Sequence, residues 1–185
     1  MNKKLEWIVP CAASAIAVFG IQAAIAQEGG PPKPTAEHKR LGYFVGTWTT
    51  EGKMEPGAMG PGGKMTAVDK CSWFEGGFAV VCHSDGKSSM GPSKSIGILG
   101  YSPEEKVYTY TGVDSSGMTM TSVPRGTRQG DTWTYNDESM MGGKKVKSRV
   151  VIKELSPTEY TFKMDMQQPD GKWATVMESK STKTK

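Results

Sequence analysis

The feature that most constrains this chain is an alternation of apolar and polar residues at every second position, repeated in short runs from residue 46 onward. Trp133 and Tyr135, then Val146, Val150 and Ile152, then Tyr160, Phe162, Met164 and Met166 share parity within their runs, and Trp173 with Met177 extends the pattern. Their neighbours Lys145, Lys147, Arg149, Lys153, Thr161, Lys163 and Asp165 are polar. Successive side chains of an extended strand point to opposite faces, so each run has one dry and one wet side. A helix has no use for that period.

Read this way, the sequence predicts strands near 46–54, 64–75, 78–85, 94–101, 106–114, 117–123, 130–138, 145–154, 159–167 and 172–181. Pro103-Glu104, Ser156-Pro157 and the Gln168 to Gly171 segment supply turn chemistry between them. Strands joined by short turns are neighbours in space, and a meander of this length closes into an up-and-down barrel or folds over as a sandwich. Before the first strand, Thr35 to Phe44 allows a short helix, with Thr35 as N-cap after Pro34 and with Leu41 and Phe44 turned inward. His38 in that segment is expected to be solvated.

The dry face of a barrel is also the wall of any cavity inside it. Trp48, Thr50, Met54, Trp73, Val80, Met118, Met120, Trp133, Met164, Met166 and Trp173 are the candidate lining. Ser148 and Thr175 share that face with flexible methionines, which makes a mixed surface rather than an aliphatic jigsaw. Such a lining suits a small hydrophobic or amphipathic ligand. Residues 54–65 form a glycine- and proline-rich connection that must be either mobile or ordered by something outside itself. It reads as a surface insertion or as a lid, with Gly57, Met59 and Gly60 at its tip and the cavity mouth beside it.

The first 26 residues carry Lys3 and Lys4, then a mostly apolar run, then Ala24-Ile25-Ala26 before Gln27. This is the pattern of a secretory signal peptide cleaved after Ala26, which implies a periplasmic or secreted protein with no stable membrane anchor after cleavage. Residues 27–34 then read as a flexible linker, and 35–183 as one barrel domain.

Cleavage removes Cys11 and leaves Cys71 and Cys82, an even pair in an oxidising compartment. The two are placed symmetrically about Gly76-Gly77, as across a β-hairpin. A four-residue loop from Glu75 to Phe78 would put them in the closely spaced, non-hydrogen-bonded position, where a disulfide forms most readily.

A net charge of +4, with its basic residues scattered, gives no basis for a nucleic-acid partner. Neither a Gly-x-Ser-x-Gly elbow, a His-x-x-x-His pair nor a phosphate loop is present. The acidic pairs Glu104-Glu105 and Asp137-Glu138 fall at predicted strand ends, where solvation is expected, so no catalytic residue is assigned. Twelve methionines and two histidines leave metal or haem binding as the alternative to an organic ligand, through His83 or the same-face pairs Met118/Met120 and Met164/Met166. No cofactor and no metal ligand set is predicted. A structural or stress-associated accessory role without any ligand is the other alternative.

Glu37-His38-Lys39, Val45-Gly46-Thr47-Trp48, the Ile98 to Ser102 block, Val113-Asp114-x-x-Gly117 and the Gly130 to Thr134 block together resemble domain-of-unknown-function family 1579. The resemblance implies an all-β, up-and-down antiparallel, calycin-like barrel of about 9–10 strands with a short N-terminal helix, akin to lipocalins. In such barrels a Gly-x-Trp at the entry to the first strand plugs one end, which assigns that role to Trp48. Lipocalin-like proteins commonly set an arginine from late in the chain over this indole. Here Arg149 is the only arginine beyond Arg128 and lies at a wet-face position, while the last predicted strand offers Lys172 and Lys180.

Overall fold

A computed structural model describes residues 32–115, 122–141 and 143–184. The proposed signal peptide therefore lies outside the described residues. A short helix α1 (Ala36–Arg40) runs into a 3-10 turn (Leu41–Phe44), and ten strands follow. They are β1 (Gly46–Met54), β2 (Gly63–Trp73), β3 (Ala79–Ser88), β4 (Gly91–Ser102), β5 (Val107–Asp114), β6 (Arg125–Gln129), β7 (Thr132–Met141), β8 (Lys144–Ser156), β9 (Glu159–Gln167) and β10 (Trp173–Lys183). Each is antiparallel to its neighbours in sequence, and β1 also pairs with β10, so the sheet closes as an all-β up-and-down barrel. Closure removes both sheet edges. It selects the barrel over the sandwich.

Most strands lie where the alternation puts them. The exception is β6, whose Arg-Gly-Thr-Arg-Gln sequence has no apolar residue to mark a dry face. A strand was expected instead at 117–123; residues 117–121 lie outside the described residues, and Ser122 and Val123 are not in a strand. Asp137, expected at a strand end, is inside β7 and accepts a hydrogen bond from Ser122 Oγ at 2.9 Å.

The chain enters the barrel through a well-capped turn. Thr35 accepts from the His38 backbone, and His38 Nδ1 lies 2.8 Å from Thr35 Oγ1 and accepts from the Thr35 backbone, a reciprocal capping box. His38 is therefore buried, edge-on to Phe78 and Tyr101, and not solvated as expected. Leu41 and Phe44 drop into the barrel end and meet Trp48, Val80, Leu99, Tyr108, Trp133 and Tyr135 in one apolar cluster. Trp48 and Trp133 are among the most completely buried large side chains. The Trp48 indole N–H donates to the Phe44 carbonyl at 2.7 Å, which satisfies the polar atom of a buried aromatic. The core thus sits at the helix end. Trp48 is the end plug that the sequence implied.

The Cys71–Cys82 disulfide is present and links β2 to β3 on the inner face. Phe74 N–H donates to Ala79 O at 2.9 Å, so the hairpin loop is Glu75 to Phe78 as expected. Counting back from that bonded pair, the antiparallel alternation puts Cys71 and Cys82 in the close position, with a Cα separation of 4.0 Å.

Candidate functional site

Strand pairing carries the inner faces around the barrel as continuous rungs, and two rungs define a two-part interior. The first is polar. Thr50 pairs with Ser181 across β1 and β10, and Ser181 pairs with Tyr160 across β10 and β9. Thr50 Oγ1 lies 2.7 Å from Ser181 Oγ and donates to Asp69 Oδ2 at 3.3 Å. Burial pushes the Tyr160 hydroxyl up to about 12, although its hydrogen bonds to Ser181 and Thr50 act the other way. A closed set of short hydroxyl side chains thus lies inside the barrel, one rung below the plug.

The second rung is apolar and soft. Tyr135 pairs with Val150, Val150 with Met164, Met164 with Met177, and Met177 with Met54, across β7, β8, β9, β10 and β1. Three thioethers therefore stand side by side on the inner face. Unbranched methionine side chains adapt to an irregular partner better than branched ones do. Between the two rungs runs a third, in which Phe162 pairs with Ser179 and Ser179 with Gly52, which pairs in turn with Met65. These four residues, with the charged Glu51, Lys53, Lys64, Lys163 and Glu178 that alternate with them along β1, β2, β9 and β10, line an open recess of about 870 Å³. At Gly52 a Cβ would come within 2.4 Å of the Glu178 carbonyl, so only glycine allows β1 and β10 to approach so closely here.

Tyr135 stands at the far end of the methionine rung. Its ring lies against Gly126, where a Cβ would come within 2.5 Å of it. Tyr135 is 4% exposed, and its hydroxyl has no hydrogen-bond partner. Burial pushes the phenol well above its ordinary range, so the group keeps its proton and remains a donor at neutral pH.

The expected lining residues fall into three groups. Trp48, Val80 and Trp133 belong to the apolar cluster at the plugged end, and Trp73 lies at the end of β2 against Gly42, 39% exposed. Thr50, Met54, Met164 and Met166 are on the inner face of the barrel below it. Met118 and Met120 lie outside the described residues. Trp173 is on the outer face, where Arg149 stacks over its indole at 5.1 Å. The cause is a β-bulge between Thr175 and Met177, which inserts one residue and turns everything before it to the other side. Thr175 is on the outer face for the same reason, donating to Asp165 at 2.9 Å.

The glycine-rich connection is ordered by its neighbour. Gly57 and Gly60 exchange backbone hydrogen bonds at 2.9 and 3.0 Å, Ser89 Oγ donates to the Gly62 carbonyl, and Met90 packs against Gly60. Lys53 and Lys64 at its base line the recess, whereas Gly57, Met59 and Gly60 do not.

Sequence reasoning put Tyr135 and Tyr160 on the dry face without naming them as lining, and it missed Ser181 and Asp69, which strand register brings beside Thr50. It also missed Lys183. Among the described residues, no group of three or more His, Cys, Asp or Glu side chains is placed to hold a metal ion. His38 is engaged in its cap, and His83 is exposed on the outside of β3.

Fold and interior together define a plugged, closed ten-stranded antiparallel barrel with an amphipathic inner surface. The chain belongs to the family described as protein of unknown function DUF1579, whose model matches residues 33–183. No functionally curated protein shows significant sequence similarity to it. The crystal structure of Rv2717c from M. tuberculosis is similar in fold, with a TM-score of 0.57 at 10% identity, over 83% of this chain and all of that one. A barrel titled EF1p2_mFAP2b bound to DFHBI aligns more loosely, with a TM-score of 0.44 at 11% identity over 80% of this chain and 98% of its own.

Proposed function

We propose that this is an exported protein that binds one small hydrophobic or amphipathic molecule inside its barrel. The observation that carries the reading is the two-part interior, with a rung of thioethers and a rung of hydroxyls on either side of the Gly52–Phe162 recess. Small-molecule sites are typically concavities of roughly 300–1,000 Å³, and the volume of the recess, about 870 Å³, falls in that range. Export is supported by the leader pattern of residues 1–26 and by a disulfide that an oxidising compartment would maintain.

Titration of the purified protein with 1-anilinonaphthalene-8-sulfonate tests the binding reading. Saturable binding of one equivalent, displaced by a second apolar compound, is the expected result. A linear, non-saturating response across several apolar probes would count against an internal site. N-terminal sequencing of the protein recovered from its own host tests export, with Gln27 expected as the first residue.

A further inference from the structure

Among the described residues, the hydroxyl of Tyr135 is a buried donor on the inner face that the barrel leaves without an acceptor. A buried donor without an acceptor costs free energy, and folded proteins rarely leave one unless something else supplies the partner. Replacing it by phenylalanine would remove the cost without changing the ring that fills the space against Gly126. The other tyrosine hydroxyls of this region are placed differently. Tyr108 donates to the Glu37 carboxylate, and Tyr160 bonds to Ser181 and Thr50. Tyr135 alone among these has no protein acceptor. Its neighbours along the rung are Val150, Met164, Met177 and Met54, none of which offers a strong side-chain acceptor.

Resting on the reading that the interior binds a small molecule, we infer that Tyr135 is the polar anchor of that site. It donates a hydrogen bond to an acceptor atom of the ligand, a neutral carbonyl, ether or hydroxyl oxygen, whose apolar body lies along Val150, Met164 and Met177 toward Met54. The ligand class is thus an elongated, mostly apolar molecule with an uncharged oxygen acceptor at one end. A hydrocarbon of the same shape would fill the site but leave the donor unmet. A neutral oxygen is favoured over an anion, because Val150, Met164, Met177 and Met54 along the rung carry no charge to balance one.

Equilibrium dialysis with a matched pair of probes tests this. 2-Acetylnaphthalene carries the acceptor oxygen, and 2-ethylnaphthalene has nearly the same shape without it. The wild-type protein is expected to prefer the ketone by about three- to tenfold, the ratio one neutral hydrogen bond gives. Tyr135→Phe is expected to bind the hydrocarbon unchanged and to lose the preference. Retention of the preference in Tyr135→Phe, or equal binding of the two probes by the wild type, would overturn the anchor while leaving the internal site standing. Binding of neither probe would overturn the internal site and the anchor with it. A melting temperature for Tyr135→Phe equal to or above that of the wild type is expected, because no protein contact of the hydroxyl is lost. A lower one would show that the hydroxyl has a partner within the protein and would also overturn the assignment.

Discussion

Lys183 Nζ sits 4.6 Å from the centroid of the Trp48 ring and donates to the Tyr43 carbonyl at 3.1 Å, so the last residue of β10 fastens the plug at the barrel entry. The register places Lys183 directly opposite Trp48. A lysine thus takes the position that lipocalin-like barrels give to arginine. Removing the ammonium while keeping an apolar stem, in Lys183→Met, is expected to cost about 1–2 kcal/mol in urea unfolding, from the cation over the ring and the carbonyl bond together. Lys183→Arg is expected to recover most of that loss.

A second polar tie lies across the plug. Trp133 Nε1 donates to Glu154 Oε1 at 2.6 Å, and Arg128 grips the same carboxylate at 3.2 Å while covering the Trp133 ring at 5.2 Å. Glu154 and Arg128 are mostly buried, so truncating one partner leaves the others short of a counterpart. Glu154→Ala is expected to destabilise the protein by about 3 kcal/mol in chemical denaturation. Glu154→Gln, which keeps an acceptor for the indole, is expected to cost less.

Stability should fall in acid through Asp165. Its burial alone would raise the carboxyl, but hydrogen bonds from Arg149, Thr175 and Lys163 outweigh that and hold it below the ordinary range. A carboxyl depressed in the folded state binds fewer protons there than in the unfolded chain, so its contribution is complete above the unfolded value of about 3.9. The contribution is lost as pH falls through the lower folded value. Urea midpoints from pH 6 to pH 2 are expected to decline more steeply for the wild type than for Asp165→Asn, which is less stable at neutral pH.

The tyrosines act at the other end of the scale. Burial raises Tyr43 and Tyr160 to about 12, and it also raises Tyr108, Tyr110 and Tyr135. A phenol raised in the folded state stabilises it fully below the unfolded value of about 10 and loses that contribution as pH climbs through the folded value. Absorbance at the phenolate band is therefore expected to rise cooperatively with loss of tertiary structure above pH 10, rather than as independent titrations.

Reduction of the disulfide gives a further expectation. Cys71–Cys82 closes a short hairpin, and the chain-entropy model assigns such a loop about 3 kcal/mol. The Cys71→Ala, Cys82→Ala double variant should unfold at correspondingly lower urea concentration and should no longer respond to reductant.

Much of this architecture was legible in the sequence because a strand's period of two is visible without knowing its partners. The inner faces of β7, β8 and β9 follow directly from Trp133 through Met166. The reading failed at Trp173 because a bulge leaves no mark in the alternation, and Met177 only seemed to share its side. It failed at β6 because a strand without apolar residues has no visible face. His38 was misplaced because a capping histidine and a solvated one look alike until the backbone turn around Thr35 is seen. Lys183 lies beyond the last strand that the alternation predicts, and register alone shows it opposite Trp48. The polar rung of Thr50, Ser181 and Tyr160 joins residues far apart in the chain, and only barrel closure between β1 and β10 unites them.

The internal site is tested most directly by methyl NMR of the protein labelled at its methionine methyl groups, with 2-acetylnaphthalene added. Saturable shifts are expected for Met54, Met164 and Met177 on the inner rung, with Met90 and Met140, which are exposed, unmoved. Shifts confined to Met90 and Met140, or no saturable shift at any methionine, would contradict a ligand site inside the barrel.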